Sequence, residues 1–335
     1  SPQTFAYYLP QAKDGSTFYV AEGRYLPISE DENGYKEYKI NSSVSIIGGY
    51  PDTAKTGDVP DPKEYKTIFT GDPSGDDYYV DGIKTKIFDR NNDDLNVLHL
   101  FNAVASSSLS FYGCDFIGIS RINGGSKVVS EPIRCNMVKL EKCEFDIVES
   151  FWRSDGTKAS RLEASECIFR NRTTTSPSSI FDYGTIKIDR SLFDGVQCSL
   201  GGFFDRVEEA VIVTNSTFNN VFCESFFATP RLRNSNASKL YLLNNTFCNL
   251  KFKGSVFVKS SDAADIKIIG NIFADCDNTS VIDEVKDNCE VRDNLCSGKT
   301  VGTKSDLQTD NIDDVLDWLN GAPVLKNNGG FTSTV

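Results

Sequence analysis

The chain has 335 residues, of which 39% are hydrophobic and 11% aromatic, so it holds enough apolar side chains for a folded core and is not a disordered chain. Its formal net charge of −12 argues against nucleic acid as a partner, and it disfavours an anionic polysaccharide unless a local basic patch or bound Ca²⁺ reverses the charge. No segment approaches the roughly 20 consecutive apolar residues that span a membrane.

The N-terminal hundred residues contain three short stretches typical of strands, separated by turns rich in Gly, Pro and Asp: residues 14–27, 43–51 and 66–72. We interpret them as the first, less regular coils of a repeat structure. Residues 52–61 hold three acidic residues, a Gly and a Pro, which predicts a surface loop. The only histidine, His99, lies in an apolar run that predicts a strand, so a structural role is favoured over a catalytic one.

A repeat begins near residue 109 and occurs in eight copies that align without gaps, with equivalent positions of successive copies 23 to 29 residues apart. Apolar residues stand seven and five positions before an anchor residue in most copies, with polar residues between them. This alternation predicts a strand with one buried face. The anchors are Phe116, Phe145, Phe169, Phe193, Phe218, Phe247, Phe273 and Cys296.

A second strand follows in six of the coils, as a small residue, two large apolar residues and a variable fourth. These segments are residues 150–153, 179–182, 202–205, 225–228, 255–258 and 280–283. Coils that all turn in the same sense pair their strands in parallel, and parallel crossovers are right-handed. The sequence therefore predicts an all-β fold, a right-handed single-stranded parallel β-helix in which each coil contacts only its neighbours.

A small or amide residue stands two positions before each anchor, which predicts a turn where side chains bond neighbouring backbone groups. These residues are Cys114, Cys143, Cys167, Ser191, Ser216, Asn245, Asn271 and Asn294. Because three of them are Cys in one column, we interpret the ten cysteines mainly as buried free thiols. Cys289 and Cys296, which share a coil, are the expected exception as a disulfide.

Apolar residues recur at helical spacing near the C-terminus: Ile312, Val315, Leu316 and Leu319. With Asp310 before them and Gly321 after, they predict a short α-helix that caps the last coil. We predict a single domain over residues 1–335. It comprises irregular N-terminal coils and a cap over 1–105, regular coils over 106–300, and the C-terminal helix cap and tail over 301–335.

Several phrases resemble a family of exported surface proteins of gut Bacteroidetes that have a right-handed parallel β-helix of the pectin-lyase-like fold. The matching segments are residues 14–25, 45–51, 67–72, 151–156, 244–247 and 325–332. The resemblance covers nearly the whole chain and is specific for fold. It implies export, often as a surface lipoprotein, and an association with polysaccharide capture. Because such proteins include lyases, hydrolases and adhesins, the fold does not choose among these activities.

The sequence contains few residues or motifs that are typical of a catalytic site. A single His argues against Ser-His-Asp and Cys-His mechanisms, and no phosphate-binding or dinucleotide-binding loop occurs. The fourth position of the second strand carries Arg153, Asp182 and Asp205, predicted to stack on adjacent coils about 4.8 Å apart. These three are the catalytic candidates, and an ion-pair ladder on the surface is the favoured alternative for them.

The predicted ligand-binding set adds two neighbours and consists of Trp152, Arg153, Asp182, Asp205 and Arg206. Trp152 belongs to an aromatic column that either stacks on sugars or, as the favoured alternative, forms core. No cofactor is predicted, although Asp182 and Asp205 could hold Ca²⁺.

The leading interpretation is a non-catalytic cell-surface protein that recognises an extracellular polysaccharide. One alternative is a polysaccharide lyase or glycoside hydrolase that uses the Asp/Arg site on the second-strand sheet. The other is an adhesin or a structural spacer.

Overall fold

The computed structural model confirms the predicted fold, a right-handed parallel β-helix of about seven turns. It describes residues 1–30, 36–71, 78–82, 85–89, 99–104, 106–119, 131–148, 151–153, 160–171, 180–197, 202–223, 225–227, 239–252, 256–259, 263–277, 280–297, 302–309, 318–319 and 322–323. The chain divides into two compact units, residues 1–163 with 169–173, and residues 164–168 with 174–335. That the whole chain is one domain stays a prediction.

Each regular coil contributes three strands where the sequence predicts two. The predicted first strand divides three positions before the anchor, at a residue with positive φ such as Gly113 (61°), Lys142 (52°) or Asn215 (51°). This bend turns the chain from one sheet into the next. We call the resulting sheets, in chain order within a coil, the first-strand sheet, the anchor sheet and the second-strand sheet.

In the first unit the strands pair in parallel within each sheet, apart from one antiparallel edge pair. The first-strand sheet holds Ser16–Ala21, Val44–Tyr50, Ser108–Tyr112, Met137–Glu141 and the start of Arg161–Ser165. The anchor sheet holds Gly23–Tyr25, Thr67–Thr70, Cys114–Ile119, Glu144–Val148 and the end of Ile168–Arg170. The second-strand sheet holds Ser29–Glu30, Lys36–Ile40, His99–Ala103, Glu131–Arg134 and Trp152–Arg153. A separate antiparallel hairpin joins Tyr78–Gly82 to Thr85–Asp89.

The second unit repeats this arrangement. Two long strands, Phe181–Asp189 and Gly202–Thr214, run from the second-strand position into the first-strand sheet, since they pair at Phe181 with Phe204 and again at Ile186 with Val211. The first-strand sheet continues with Lys239–Leu243, Asp265–Ile269 and Cys289–Arg292. Its anchor sheet holds Leu192–Asp194, Thr217–Asn219, Thr246–Cys248, Ile272–Ala274, Leu295–Ser297 and Leu307–Thr309. Shorter strands complete the coils: Phe222–Cys223, Ser225–Phe227, Lys251–Phe252, Val256–Val258 and Ser280–Ile282.

The anchor residues form the core of each unit, as predicted, and all eight are buried. In the first unit the Phe116 and Phe145 rings stack with their centroids 4.6 Å apart, and the column extends to Phe69 and Tyr25. In the second unit the Phe193 and Phe218 rings stack at 4.5 Å. Identical rings in register on adjacent parallel strands can stack in this way because the strand spacing matches the ring spacing.

A helix that the sequence analysis does not identify covers the N-terminal end of this column. It spans Pro2–Tyr8, and the Ser1 hydroxyl caps it by accepting a hydrogen bond from the Thr4 N–H. Its buried Phe5 ring lies 5.5 Å from Phe69 and 5.4 Å from Tyr38. The exposed loop at 52–61 is confirmed.

The column of small and amide residues lies at the turn, as predicted, and in the second unit it becomes an asparagine ladder. The Oδ1 of Asn245 accepts from the Ser216 N–H, that of Asn271 from the Asn245 N–H, and that of Asn294 from the Asn271 N–H, each at 2.9 Å. Each rung thus satisfies a buried backbone donor of the coil before it.

The nine cysteines within the described ranges are free thiols and, except for Cys289, buried. The predicted disulfide between Cys289 and Cys296 is therefore wrong. Cys296 continues the anchor column as the register partner of Phe273, whereas Cys289 is the register partner of Ile266 in the first-strand sheet. The two thiols thus belong to different columns.

The predicted C-terminal helix falls mostly on residues 310–317, which lie outside the described residues. The predicted C-terminal end of this helix, at Leu319, is wrong, because Trp318–Leu319 is a strand that pairs antiparallel with Ala322–Pro323. Pro323 is the register partner of Trp318 in this pair of strands.

Candidate functional site

Trp152 is not a ligand-binding residue, contrary to the prediction. Its side chain is 1% exposed, and its Nε1–H donates a hydrogen bond of 3.0 Å to the Cys135 carbonyl oxygen. A buried Trp whose one donor already has a partner offers no face to a sugar ring. Its column is core, as the favoured alternative has it, since Phe181 and Phe204 are buried too.

The strand register of the second unit brings Asp182 and Asp205 together. They are direct register partners on parallel strands, and Arg206 follows Asp205 in the same strand. Their side chains lie outside the described residues, so the carboxylate separation stays a prediction. Arg153 belongs to the first unit, where its register partner is Arg134.

A basic column on the second-strand sheet of the first unit emerges only from the register. Lys39 pairs with Asn102, Asn102 with Arg134, and Arg134 with Arg153. Three of these four residues are cations, although the chain carries a net charge of −12. Arg134 is exposed, and the Lys39 side chain is 56% exposed.

Glu37 supplies a buried carboxylate at the Lys39 end of the basic column. Its Oε2 accepts a hydrogen bond of 2.9 Å from Asn102 Nδ2, and its Oε1 lies 3.8 Å from Lys39 Nζ. A carboxylate taken out of water needs such partners. Glu37 therefore orients the Asn102 amide and offsets part of the Lys39 charge.

A groove of about 590 Å³ crosses the first-strand sheet of the first unit. Hydroxyl and charged side chains dominate its polar lining: Ser43, Ser45, Ser108, Ser110, Lys139, Arg161 and Glu163. Ser45, Ser110 and Lys139 are successive register partners, so they form one row across three strands. Met137, which is 42% exposed, also lines the groove and is the single methionine of the chain.

A second row runs beside the first on the same face of the sheet, two residues further along each strand. It consists of Tyr19, Ile47, Tyr112 and Glu141 as successive register partners. Tyr19 is 70% exposed, and its ring lies 5.8 Å from that of Tyr50 in a T-shaped contact. Lys142 Nζ lies 3.1 Å from the Tyr112 hydroxyl. The face thus combines a hydrogen-bonding row with an aromatic and apolar row.

The charges along the groove are paired within the sheet. Lys139 Nζ lies 3.9 Å from Glu141 Oε2, and Arg161 forms an ion pair with Glu163. Exposed pairs of this kind contribute about 0–1 kcal/mol to stability, so they shape the surface more than they hold the fold. The groove is consequently close to neutral in charge.

Buried carboxylates and basic side chains form an ion cluster on the anchor sheet of the first unit. Lys66 Nζ lies 3.1 Å from Asp115 Oδ2 and 3.7 Å from Glu144 Oε2, and Arg170 forms an ion pair with Glu144. Burial raises the pKa of Asp115 to about 6, the Lys66 charge lowers it, and the Glu144 charge raises it.

This ion cluster does not form an open catalytic site. Asp115 is 3% exposed and Glu144 is also buried, so a sugar cannot reach either carboxylate. Within the described ranges, no three His, Cys, Asp or Glu side chains come together as metal ligands. In the same part of the chain, no helix is long and apolar enough to cross a membrane.

Sequence reasoning missed the groove, although a signal for it is present. Ser-X-Ser occurs at residues 43–45 and again at 108–110, and in both places the serines flank an inward apolar residue. Serines on the outer face of a strand look like ordinary surface residues until the register aligns them. The alignment involves the irregular N-terminal coils, which lie outside the repeated segments.

The comparisons with known proteins add little beyond the fold. No family model matches the chain, and no curated protein matches it. Among solved structures, the PL6 family alginate lyase AlyGC is similar, with 11% sequence identity and a TM-score of 0.28 over 100% of this chain. The chain spans 56% of that enzyme's length. So loose a likeness indicates neither a shared site nor a shared activity.

Proposed function

We propose that this protein is an exported, non-catalytic receptor that recognises an extracellular polysaccharide through the groove on its first-strand sheet. The single observation that carries the proposal is the pairing of two rows on one face. The Ser45, Ser110 and Lys139 row offers hydrogen-bonding groups, and the neighbouring row offers the rings of Tyr19 and Tyr112.

Sugars present the same combination of chemistry, with hydroxyl groups around a ring whose faces are largely apolar. Aromatic side chains bind such faces, and hydroxyl and amino side chains bind the rim. Parallel strands repeat these groups at about 4.8 Å across the sheet, which suits an extended polymer better than a small ligand. A rigid sheet also loses little conformational entropy on binding.

Export and attachment to the cell surface are part of the proposal. They are supported by the resemblance of residues 14–25, 45–51 and 67–72 to exported surface β-helix proteins. Capture of a polysaccharide outside the cell requires that location.

The test compares two exposed tyrosines of the first unit, Tyr19 in the aromatic row and Tyr7 on the N-terminal helix. Binding of the full chain to a panel of purified polysaccharides is measured by calorimetry. We expect Tyr19→Ala to weaken binding roughly tenfold, the effect of losing about 1.4 kcal/mol of stacking, and Tyr7→Ala to have no effect. Equal affinities for both variants and the unmodified chain would show that the aromatic row takes no part in polysaccharide binding, contrary to the proposal.

A second candidate function is glycoside hydrolysis or lyase chemistry at the second-strand sheet. The register pairing of Asp182 and Asp205 favours it, because hydrolases use two carboxylates at a defined separation. In a lyase Arg153 or Ca²⁺ would neutralise a sugar carboxylate. The same panel is assayed for new reducing or unsaturated ends, with Asp182→Asn/Asp205→Asn as the control. If the unmodified chain forms these products and the double variant does not, the protein is an enzyme and the receptor proposal is wrong.

An adhesin or spacer without a glycan site is the remaining alternative. It predicts that no polysaccharide of a broad panel binds and that no product forms. Both proposals above fail together in that case.

A further inference from the structure

The spacing of the aromatic row beside the groove distinguishes between classes of polysaccharide. Tyr19 and Tyr112 are both register partners of Ile47, which lies on the strand between theirs. Adjacent strands are about 4.8 Å apart, so the two tyrosine positions are roughly 9.6 Å apart along the direction in which the coils stack. Two aromatic positions with an apolar one between them offer a place to each of three successive sugars.

We infer that the groove face binds an uncharged polysaccharide that forms a flat, extended ribbon, as cellulose and mannan chains do, with alternate sugars stacked on Tyr19 and Tyr112. This binding mode rests on the proposed function, and it adds the class of polymer and its direction across the strands. In such a ribbon each sugar is rotated by a half turn relative to the one before. Every second sugar therefore presents the same face, at nearly the interval of the two tyrosines. An amylose-type chain coils instead, and its sugars do not return to one flat surface.

Both tyrosine rings are held by a neighbouring side chain. The buried Tyr50 contacts the Tyr19 ring in a T-shaped geometry, with the ring centroids 5.8 Å apart. Lys142 Nζ donates a hydrogen bond of 3.1 Å to the Tyr112 hydroxyl and lies 5.2 Å from the ring centroid, so the ammonium group sits at the hydroxyl end of the ring. A ring that is oriented before binding loses less conformational entropy when a sugar stacks on it.

The hydrogen-bonding row follows the aromatic row strand by strand. Thr17, which is exposed, extends it as the register partner of Ser45, and Ser45 in turn pairs with Ser110. Each of these hydroxyl residues stands two positions before a member of the aromatic row, roughly 6.6 Å away along the strand. A sugar stacked on the aromatic row thus has a hydroxyl side chain beside its edge, which both donates to and accepts from sugar hydroxyl groups.

The charges around the groove favour a neutral ligand. Among the described residues, both cations that line the groove have a carboxylate partner: Lys139 Nζ lies 3.9 Å from Glu141 Oε2, and Arg161 forms an ion pair with Glu163. An acidic polymer must compete with these carboxylates and also meets a net charge of −12, whereas a basic polymer must compete with the cations. An uncharged polymer meets neither penalty.

The experiment measures binding of the full chain to cello-oligosaccharides of increasing length. Maltohexaose is the coiled neutral probe, and an oligosaccharide of glucuronic acid with the cellulose linkage is the flat acidic probe. We expect affinity to rise roughly tenfold from cellobiose to cellotriose, because only the longer chain reaches both tyrosines. Maltohexaose and the acidic probe should each bind at least about tenfold more weakly than cellohexaose. Raising the salt concentration should change the cellohexaose affinity by less than about twofold, since no charge pair forms.

Tyr112→Ala should remove the gain from cellobiose to cellotriose and weaken cellohexaose binding roughly tenfold. Tyr241→Ala is the matched control and should change the affinity by less than about twofold. Tyr241 is likewise half-buried on a strand of the second unit's first-strand sheet, and Lys267 Nζ lies 5.0 Å from its ring centroid. Tyr112→Phe keeps the ring and should retain the affinity within about threefold, which separates lost stacking from a folding defect.

Equal losses in Tyr112→Ala and Tyr241→Ala would overturn the inferred binding mode. So would an unmodified chain that binds cellobiose and cellotriose equally, or that prefers maltohexaose or the acidic probe to cellohexaose. If another polysaccharide binds instead and Tyr19→Ala weakens its binding, the proposed function stands and only the class of polymer is wrong. If no polysaccharide of the panel binds, the binding mode and the proposed function are both wrong.

Discussion

Asn294 and Asp306 end the asparagine ladder of the second unit. Asp306 Oδ1 accepts hydrogen bonds from the Asn294 backbone N–H at 3.0 Å and from its side-chain Nδ2 at 2.8 Å. Its Oδ2 accepts from the Thr303 N–H at 2.7 Å and from the Thr303 hydroxyl at 2.9 Å. An aspartate side chain only accepts hydrogen bonds, so it can end the ladder. An asparagine side chain also donates, and its amide group would need a further acceptor.

We expect Asp306→Ala to destabilise the protein by about 1–3 kcal/mol, because the buried donors of Asn294 lose their acceptor. Chemical denaturation measures the change. Asp287→Ala is the control, since Asp287 is exposed and should change the free energy of unfolding by less than about 0.5 kcal/mol. Equal effects of the two substitutions would mean that Asp306 does not terminate the ladder.

Phe218→Ala should destabilise the protein by about 3–5 kcal/mol, the usual effect of emptying a buried aromatic site. The Phe218 ring is buried and stacks on Phe193 at 4.5 Å and on Phe247 at 4.9 Å. Phe218→Leu, which refills most of the volume, should lose less. Denaturant unfolding of both variants is the measurement, and a loss below about 1 kcal/mol for alanine would place Phe218 outside the core.

The core columns could be predicted from the sequence, because each repeats along the chain at a nearly constant interval. Phe145 or Asn271 is informative only beside its equivalents in other coils. The positive φ at Lys142 and Asn215 escaped prediction, since Lys and Asn are also ordinary surface residues. A feature that occurs only once, such as the N-terminal helix Pro2–Tyr8, cannot be predicted from a repeat.

The sites were harder to predict because they depend on register between irregular coils. Trp152 carries the strongest sequence signal for sugar binding, yet burial gives its ring a core role. Arg134 lies in a strand outside the repeated segments. Its pairing with Arg153 follows from strand register alone.

Trp152→Phe should leave polysaccharide affinity unchanged while lowering stability by about 1–3 kcal/mol, because the Cys135 carbonyl oxygen loses its donor and the smaller ring leaves a cavity. Calorimetry and denaturation on the same preparation separate the two effects. A clear loss of affinity without a loss of stability would mean that Trp152 contributes to polysaccharide binding after all.

Asp115 should make stability depend on pH in a defined direction. Its pKa in the folded protein is raised to about 6 from an ordinary value of 3.8, so the folded state holds the proton more tightly than the unfolded state. This contribution is fully present below pH 3.8 and is lost as pH rises through 6. Its size is of the order of 2–3 kcal/mol.

Asp115→Asn removes this titration. Denaturation from pH 4 to pH 8 should show the unmodified chain losing stability relative to Asp115→Asn as the pH rises. Asp58→Asn, at an exposed acidic residue of the 52–61 loop, is the control and should follow the unmodified chain. If the stability of the unmodified chain relative to Asp115→Asn stays constant or increases as the pH rises, the raised pKa of Asp115 is contradicted.

The groove can be tested directly through Met137, the single methionine of the chain, which lies 42% exposed in its wall. Methionine oxidises to the sulfoxide where an oxidant can reach it, and mass spectrometry locates the added oxygen. Oxidation by dilute peroxide is followed with and without a saturating polysaccharide that calorimetry has shown to bind. Polysaccharide recognition through the groove predicts that the bound polymer slows Met137 oxidation severalfold, whereas a glycan that binds while Met137 oxidises at its original rate would contradict it.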